Sequence, residues 1–133
     1  MIRGDIYQAN LDPTEGSEQA SCKRPVAIVS RNGINRSSPI LVVVPLTAEC
    51  GHSQALPLQG RERVTKFAAN KKIYPSHHLV KASNENGLDL DSIAKCEQIR
   101  AIAKSRLLNK LGSLNTQDLL KIDAALKIVL SLK

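Results

Sequence analysis

The run Ile40-Leu41-Val42-Val43-Val44-Pro45-Leu46 constrains the fold more than any other part of the chain. β-Branched side chains favour a pleated sheet over a helix, and a run without polar alternation suits a strand buried on both faces. The run is far short of the ~20 apolar residues that a helix needs to cross a bilayer. It therefore reads as the central strand of a soluble domain. Residues 5–11 alternate, with Tyr7, Ala9 and Leu11 on one face and Gln8 and Asn10 on the other. A polar loop follows from Asp12-Pro13 to Arg24, and Pro25 opens a further strand over residues 26–29. Residues 32–39, Asn-Gly-Ile-Asn-Arg-Ser-Ser-Pro, have the chemistry of a turn. Strands this short and frequent predict a mainly β, α+β chain built on a small antiparallel barrel or sandwich. At 133 residues there is room for one domain and one core.

The later chain has two legible pieces. Residues 88–102 read as one long bent strand. Residues 116–132 read as the single clear helix, with Asn115 as its cap, Asp118 in its positive first turn and Leu114 placed to staple to it. Between Leu119 and Leu132 only Lys121, Asp123, Lys127 and Ser131 interrupt the apolar sequence. So narrow a polar stripe needs cover, either from the sheet or from a second subunit. Before these two pieces lies a long excursion at about 48–81, which is crowded with Arg61, Arg63, Lys66, Lys71, Lys72 and Lys81. Long loops in small domains are usually functional or disordered.

Charge and composition narrow the chemistry. Nineteen Lys and Arg against twelve Asp and Glu give a net charge of +7, while aromatics are 2% of the chain, namely Tyr7, Phe67 and Tyr74. Basic charge with so few rings fits an anionic phosphate partner held by charge instead of by stacking. It excludes an RNA-recognition-motif sheet, which needs aromatics. No glycine-rich phosphate loop, paired CxxC, HExxH or nucleophile elbow is present. Cys22, Cys50 and Cys96 are odd in number and lack metal-ligand spacing, so they read as reduced thiols. His52, His77 and His78 have no metal spacing either. The adjacent pair would point to opposite faces of a strand, both into solvent. No secretory signal is legible at the start of the chain, which fits a cytoplasmic protein. What remains is a polar trio at a loop and two strand ends: Glu18, Arg24 and Thr47.

At this point the chain becomes recognisable. Arg3-Gly4-Asp5-Ile6-Tyr7, Asp12-Pro13-Thr14-Glu15-Gly16-Ser17-Glu18-Gln19, Lys23-Arg24-Pro25-Val26, Asn35-Arg36-Ser37-Ser38 and Val44-Pro45-Leu46-Thr47 resemble the MazF/PemK toxins of toxin–antitoxin systems. The likeness resumes at Gly87-Leu88-Asp89 and runs through Cys96-Glu97-Gln98-Ile99-Arg100 and Lys104-Ser105-Arg106-Leu107 into the last helix. It spans roughly residues 3–47 and 87–132. The resemblance implies a single domain, a compact SH3-like barrel (CcdB/PemK-like) with a C-terminal helix, acting as a homodimer. It also implies metal-independent, sequence-specific cleavage of single-stranded RNA without a cofactor, and neutralisation by an antitoxin. Arg24, Thr47 and Glu18 match the family's site positions. The chain departs from the family between Thr47 and Lys81, where it is longer, so the cleaved sequence does not carry over.

These residue types suit the implied reaction. Attack by a 2′-hydroxyl needs a base, donors for a dianionic phosphorane, and an acid for the leaving oxygen. Arg24 offers a planar fork of donors for phosphate oxygens, Thr47 one more donor, and Glu18 an anionic base. Lys23, Arg31, Arg36, Arg61, Arg63, Lys66, Lys71 and Lys72 are placed to follow the phosphates of a bound strand. Arg100 and Arg106 read as structural partners of Glu97 or Asp89. Two non-enzymatic alternatives stand beside this reading. One is a toxin of the same fold that binds a protein target such as DNA gyrase. The other is a basic nucleic-acid chaperone that uses only the 61–72 cluster.

Overall fold

The apolar run becomes the middle of a strand in a computed structural model that describes residues 1–11, 23–48 and 74–133. Along the chain the elements are β1 (Asp5–Asn10), β2 (Lys23–Ile28), α1 (Asn32–Ser37), β3 (Ile40–Ala48), β4 (His77–Val80), β5 (Ser92–Lys95), β6 (Arg100–Ala103), β7 (Leu107–Ser113) and α2 (Thr116–Leu130). Short 3₁₀ turns occupy Cys96–Gln98 and Lys104–Arg106. Leu41, Val43, Val44 and Leu46 are at most 1% exposed, as a strand covered on both faces requires. The strands form one antiparallel sheet in the order β4-β5-β3-β2-β1-β7, with β6 also on β3. The expected mainly β, α+β architecture with a C-terminal helix is therefore present. Among the described strands it is an open sheet with β4 and β7 at its edges.

β3 holds three partners at once. Val43 pairs with Ile28 of β2 and with Arg100 of β6, so those two strands lie on opposite edges. Beyond Val43 the second edge passes from β6 to β5, where Leu46 pairs with Ala94. Pro45 lies between the two stretches, so a residue without an N–H sits where that edge changes partner. The single bent strand expected over 88–102 is in fact β5 and β6 broken by a turn. Moving from Val43 to Leu46 on β3 corresponds to moving from Arg100 back to Ala94, and the surplus is taken up by Cys96–Gln98. That turn tucks Cys96 into the core beneath α2.

Two apolar clusters cover the two faces of the sheet. Ile6, Val44, Leu46, Val80, Ala94 and Cys96 meet Ile122, Ala125 and Leu126 of α2. On the other face Ala9, Leu11, Val26, Ile28, Leu41, Val43 and Ile102 form the smaller cluster, with Tyr7 and Leu107 against it. Alternation along β1 is the cause, since odd residues feed one cluster and Ile6 the other. The segment before β1 ties these layers together. Arg3 Nε donates to Val29 O at 3.0 Å, its guanidinium pairs with Asp123 of α2, and buried Asp5 accepts from Ser113 Oγ at 3.0 Å.

Two local readings are corrected, and one strand is added. Residues 32–37 are helical because the buried Asn35 amide donates to Ser30 O at 2.9 Å and accepts from the Ser30 hydroxyl, which outweighs the poor helix propensity of Asn32 and Gly33. β7 had no clear strand signature, because two register irregularities against β1 blur its alternation. His77 and His78 do point to opposite sides, but neither points free into solvent. His77 Nε2 lies 3.1 Å from Glu97 Oε2, and its ring meets Tyr74 edge-on at 5.5 Å. His78 Nε2 lies 2.8 Å from Asp118 Oδ1 at the start of α2.

α2 keeps its expected cap, with Asn115 Oδ1 accepting from Asp118 N at 2.7 Å, and stops at a left-handed Ser131. The sheet covers only one stripe of it. Leu120, Ile128 and Leu130 remain 61%, 58% and 48% exposed.

The loop between β4 and β5 is fastened to β7 by close backbone approach. Buried Asn86 donates to Lys81 O at 2.8 Å and accepts from Ser83 N and Leu88 N. Gly87 takes φ +71°, and Ser113 N donates to Glu85 O at 2.9 Å. A Cβ added at Gly112 would lie 2.3 Å from Glu85 O and 2.5 Å from Asn86 C. Backbone cannot retreat as a flexible side chain can. Gly112→Ala is therefore expected to cost about 2 kcal/mol or more, the range of core overpacking. Urea unfolding checks this, and a change below about 0.5 kcal/mol would contradict the close approach.

Candidate active site

Arg24 stands near the start of β2, opposite Ala9 of β1. The register that sets Val26 against Pro45, carried on along both strands, brings Arg24 opposite Thr47 of β3. Directly opposed residues share a face and have Cβ atoms roughly 5 Å apart. The guanidinium and the hydroxyl thus leave the sheet together, on the face of the smaller apolar cluster. Both side chains are partly exposed.

Two further arginines reach the same region. Arg100 is opposite Val43 and donates from Nη1 to Leu11 O at 3.4 Å. Arg106 donates from Nη1 to Asn10 O at 3.1 Å. Both donate to carbonyls at the end of β1, whereas Glu97, one of their two expected partners, pairs with His77. Three guanidinium groups therefore gather around the end of β1. Sequence reasoning found only Arg24 for this region. The other two lie 89 and 96 residues beyond their acceptors Leu11 and Asn10, through pairings that the sequence does not announce.

The other expected residues divide by position. Lys23 neighbours Arg24 and is exposed opposite Asn10. Arg31 is the N-cap residue of α1 and Arg36 lies in its last turn, beyond the far end of β2, so roughly 13 Å of strand separates that end from Arg24. They are not brought to the pair. Glu18, Arg61, Arg63, Lys66, Lys71 and Lys72 lie outside the described residues.

On the opposite face of β3 a cleft of about 780 Å³ opens beside this pair. Alternation decides its lining: Gln8, Pro25, Leu46, Ala48 and Ser92 present one face, and Leu88 and Asp89 close over it from the β4–β5 loop. Lys23 and Arg24 line it as well, so Arg24 adjoins both the cleft and Thr47's side of the sheet. No group of three or more His, Cys, Asp or Glu among the described residues is arranged to hold a metal. No helix among them is long and apolar enough to cross a membrane.

Comparison with known proteins places these features in context. A family model described as PemK-like, MazF-like toxin of type II toxin–antitoxin system matches residues 2–130. Endoribonuclease MazF9 of Mycobacterium tuberculosis is 34% identical over 137 residues, covering 99% of this chain and 98% of that protein. Endoribonuclease EndoA of Bacillus subtilis is 35% identical over 130 residues, covering 98% and 94%. Among solved structures, MazF from Deinococcus radiodurans superposes with a TM-score of 0.72 at 18% identity, over 99% of this chain and 97% of that one. A mycobacterial endoribonuclease in complex with its cognate antitoxin gives 0.69 at 22% identity, over 100% and 97%. These structural likenesses establish the shared fold.

The thiol on the main core can be removed from the list of nucleophiles. Burial, and then the nearby Glu97 and Asp123 carboxylates, push the Cys96 thiol up to about 12, so it stays protonated at neutral pH. The thiolate is the reactive form. In a Cys22→Ser, Cys50→Ser variant, a thiol reagent at pH 8 is expected to find no reactive group until denaturant is added. Rapid labelling of the folded protein would contradict the burial of Cys96.

Proposed function

The chain belongs to the family of PemK-like, MazF-like toxins of type II toxin–antitoxin systems, and from that premise we propose that it is a sequence-specific, metal-independent endoribonuclease. It cuts single-stranded RNA in the cytoplasm, as one toxin domain, and so inhibits translation and growth. The observation that carries the reading is the cross-strand placement of Arg24 and Thr47 where three arginines gather. The relatives matched over nearly their full length are named endoribonucleases, which weighs against a non-catalytic toxin.

In this mechanism the ribose 2′-oxygen attacks the adjacent phosphorus. The P–O2′ bond forms and the P–O5′ bond breaks, leaving a 2′,3′-cyclic phosphate and a 5′-hydroxyl. Glu18 takes the 2′-hydroxyl proton. Arg24 holds the two charged equatorial oxygens of the phosphorane with its fork of donors, and Thr47 adds another hydrogen bond. The leaving O5′ takes a proton from Arg24 or from solvent water. A guanidinium hardly deprotonates, so Arg24 acts first as an electrostatic clamp. Lys23 and the 61–72 cluster follow the flanking phosphates. An antitoxin with an acidic or apolar tail competes for the same basic surface.

The uncovered stripe of α2 supports a homodimer. Leu120, Ile128 and Leu130 present apolar area that the sheet leaves bare.

Two experiments test this reading. Purified protein is expected to cut single-stranded RNA in excess EDTA, and Arg24→Ala to lose about 100-fold or more of that rate, the cost of removing one transition-state donor, with its circular dichroism unchanged. Undiminished cutting by this variant would overturn the assignment of Arg24. Sedimentation is expected to show a dimer at micromolar concentration, and Leu120→Asp with Ile128→Asp to yield a folded monomer. A wild-type monomer would contradict the role of α2.

A further inference from the structure

The cleft on the face of β3 away from Thr47 shares Lys23 and Arg24 with the site above, and the rest of its lining differs from the arginine-rich face. Leu46, Leu88 and Leu111 give it apolar walls, while Gln8, Asn109 and Asp89 supply polar edges. Among the described residues that line it Asp89 is the only acid, exposed on the loop, and the cations Lys23 and Arg24 belong to β2. Its leucine walls suit a flat group with apolar faces and a hydrogen-bonding edge, and an unstacked nucleobase is such a group. Strand alternation gives the connection. Pro25 and Lys23 face the cleft while Arg24, between them, pairs toward Thr47, so a phosphate held by Arg24 lies just across β2 from the cleft.

We propose that this cleft is a nucleobase subsite beside the scissile phosphate, and that Asp89 selects guanine in it. An ionised carboxylate offers acceptors only. Guanine presents two adjacent donors on its Watson–Crick edge, N1–H and the N2 amino group, which a carboxylate accepts side by side. Adenine and cytosine offer an amino donor beside a ring acceptor, and uracil an imino donor between two carbonyls. Each of these leaves an acceptor facing the carboxylate. The amides of Gln8 and Asn109 carry both donors and acceptors and can take the remaining edge atoms. The shortage of aromatic residues is consistent with this design, because leucine side chains replace stacking rings and the hydrogen-bonding edge does the discriminating. The position beside a scissile phosphate rests on the endoribonuclease reading, whereas the base preference does not.

The test separates the two. Short uridine oligonucleotides, 2′-O-methylated throughout to prevent cleavage, carry one guanosine, inosine, adenosine or cytidine at each position in turn. Fluorescence anisotropy is expected to show about tenfold tighter binding of guanosine than of inosine at one position, since inosine lacks only the N2 amino group. Asp89→Asn, on an exposed loop side chain and with an unchanged melting temperature, is expected to erase that difference. Equal binding of guanosine and inosine, or a preference retained by Asp89→Asn, would overturn the subsite. Base-selective binding without cleavage of the unmethylated oligonucleotides would overturn the reaction and leave the subsite standing. Cleavage with unselective binding would do the reverse, and no binding of any oligonucleotide would overturn both.

Discussion

A strand buried on both faces must find its hydrogen bonds at its two edges, and β3 meets that demand with β2 on one side and β6 followed by β5 on the other. The positions of the described functional groups follow from this arrangement. β2 is held in register by residues 43–45, which sets Arg24 against Thr47 at the end of the ladder. Alternation of the same strand turns Thr47 to one face and Leu46 and Ala48 to the other, so the charged surface and the cleft are two sides of one sheet. The 3₁₀ break at Cys96–Gln98 lets one continuous stretch of chain serve both halves of the far edge.

The chemistry then depends on positive charge gathered at the end of β1. Arg100 and Arg106 each donate a hydrogen bond to a carbonyl there, Leu11 O and Asn10 O, which helps to fix the direction of each guanidinium. Ion pairs at joints between elements, Arg3 with Asp123, His77 with Glu97 and His78 with Asp118, fix the packing of one element on another.

What the sequence showed depended on how local the determining forces were. β3 and α2 were legible because an unbroken β-branched run and an apolar helix with an Asn cap each carry their own signal. The α1 helix and β7 were not, because a buried Asn35–Ser30 contact and two irregular pairings with β1 determine them, and both are tertiary. The histidines were misread for the same reason, since their partners lie 20 and 40 residues away. For the site, Arg24 and Thr47 came from motif resemblance, and the register argument explains why those two positions belong together. Arg100 and Arg106 were visible as residues but not as neighbours of Arg24. Leu120 and Ile128 are exposed, so the sheet covers only part of the helix's apolar surface.

The central claim is that this fold holds an RNA phosphate at Arg24 and Thr47 while the substrate's own 2′-hydroxyl performs the attack. The most direct test replaces a single ribose at the cleaved nucleotide with 2′-deoxyribose and follows both binding and cutting in EDTA. The account predicts binding close to that of the all-ribose strand and no cleavage at the altered position. Cleavage of the deoxy-substituted strand at that position would contradict it.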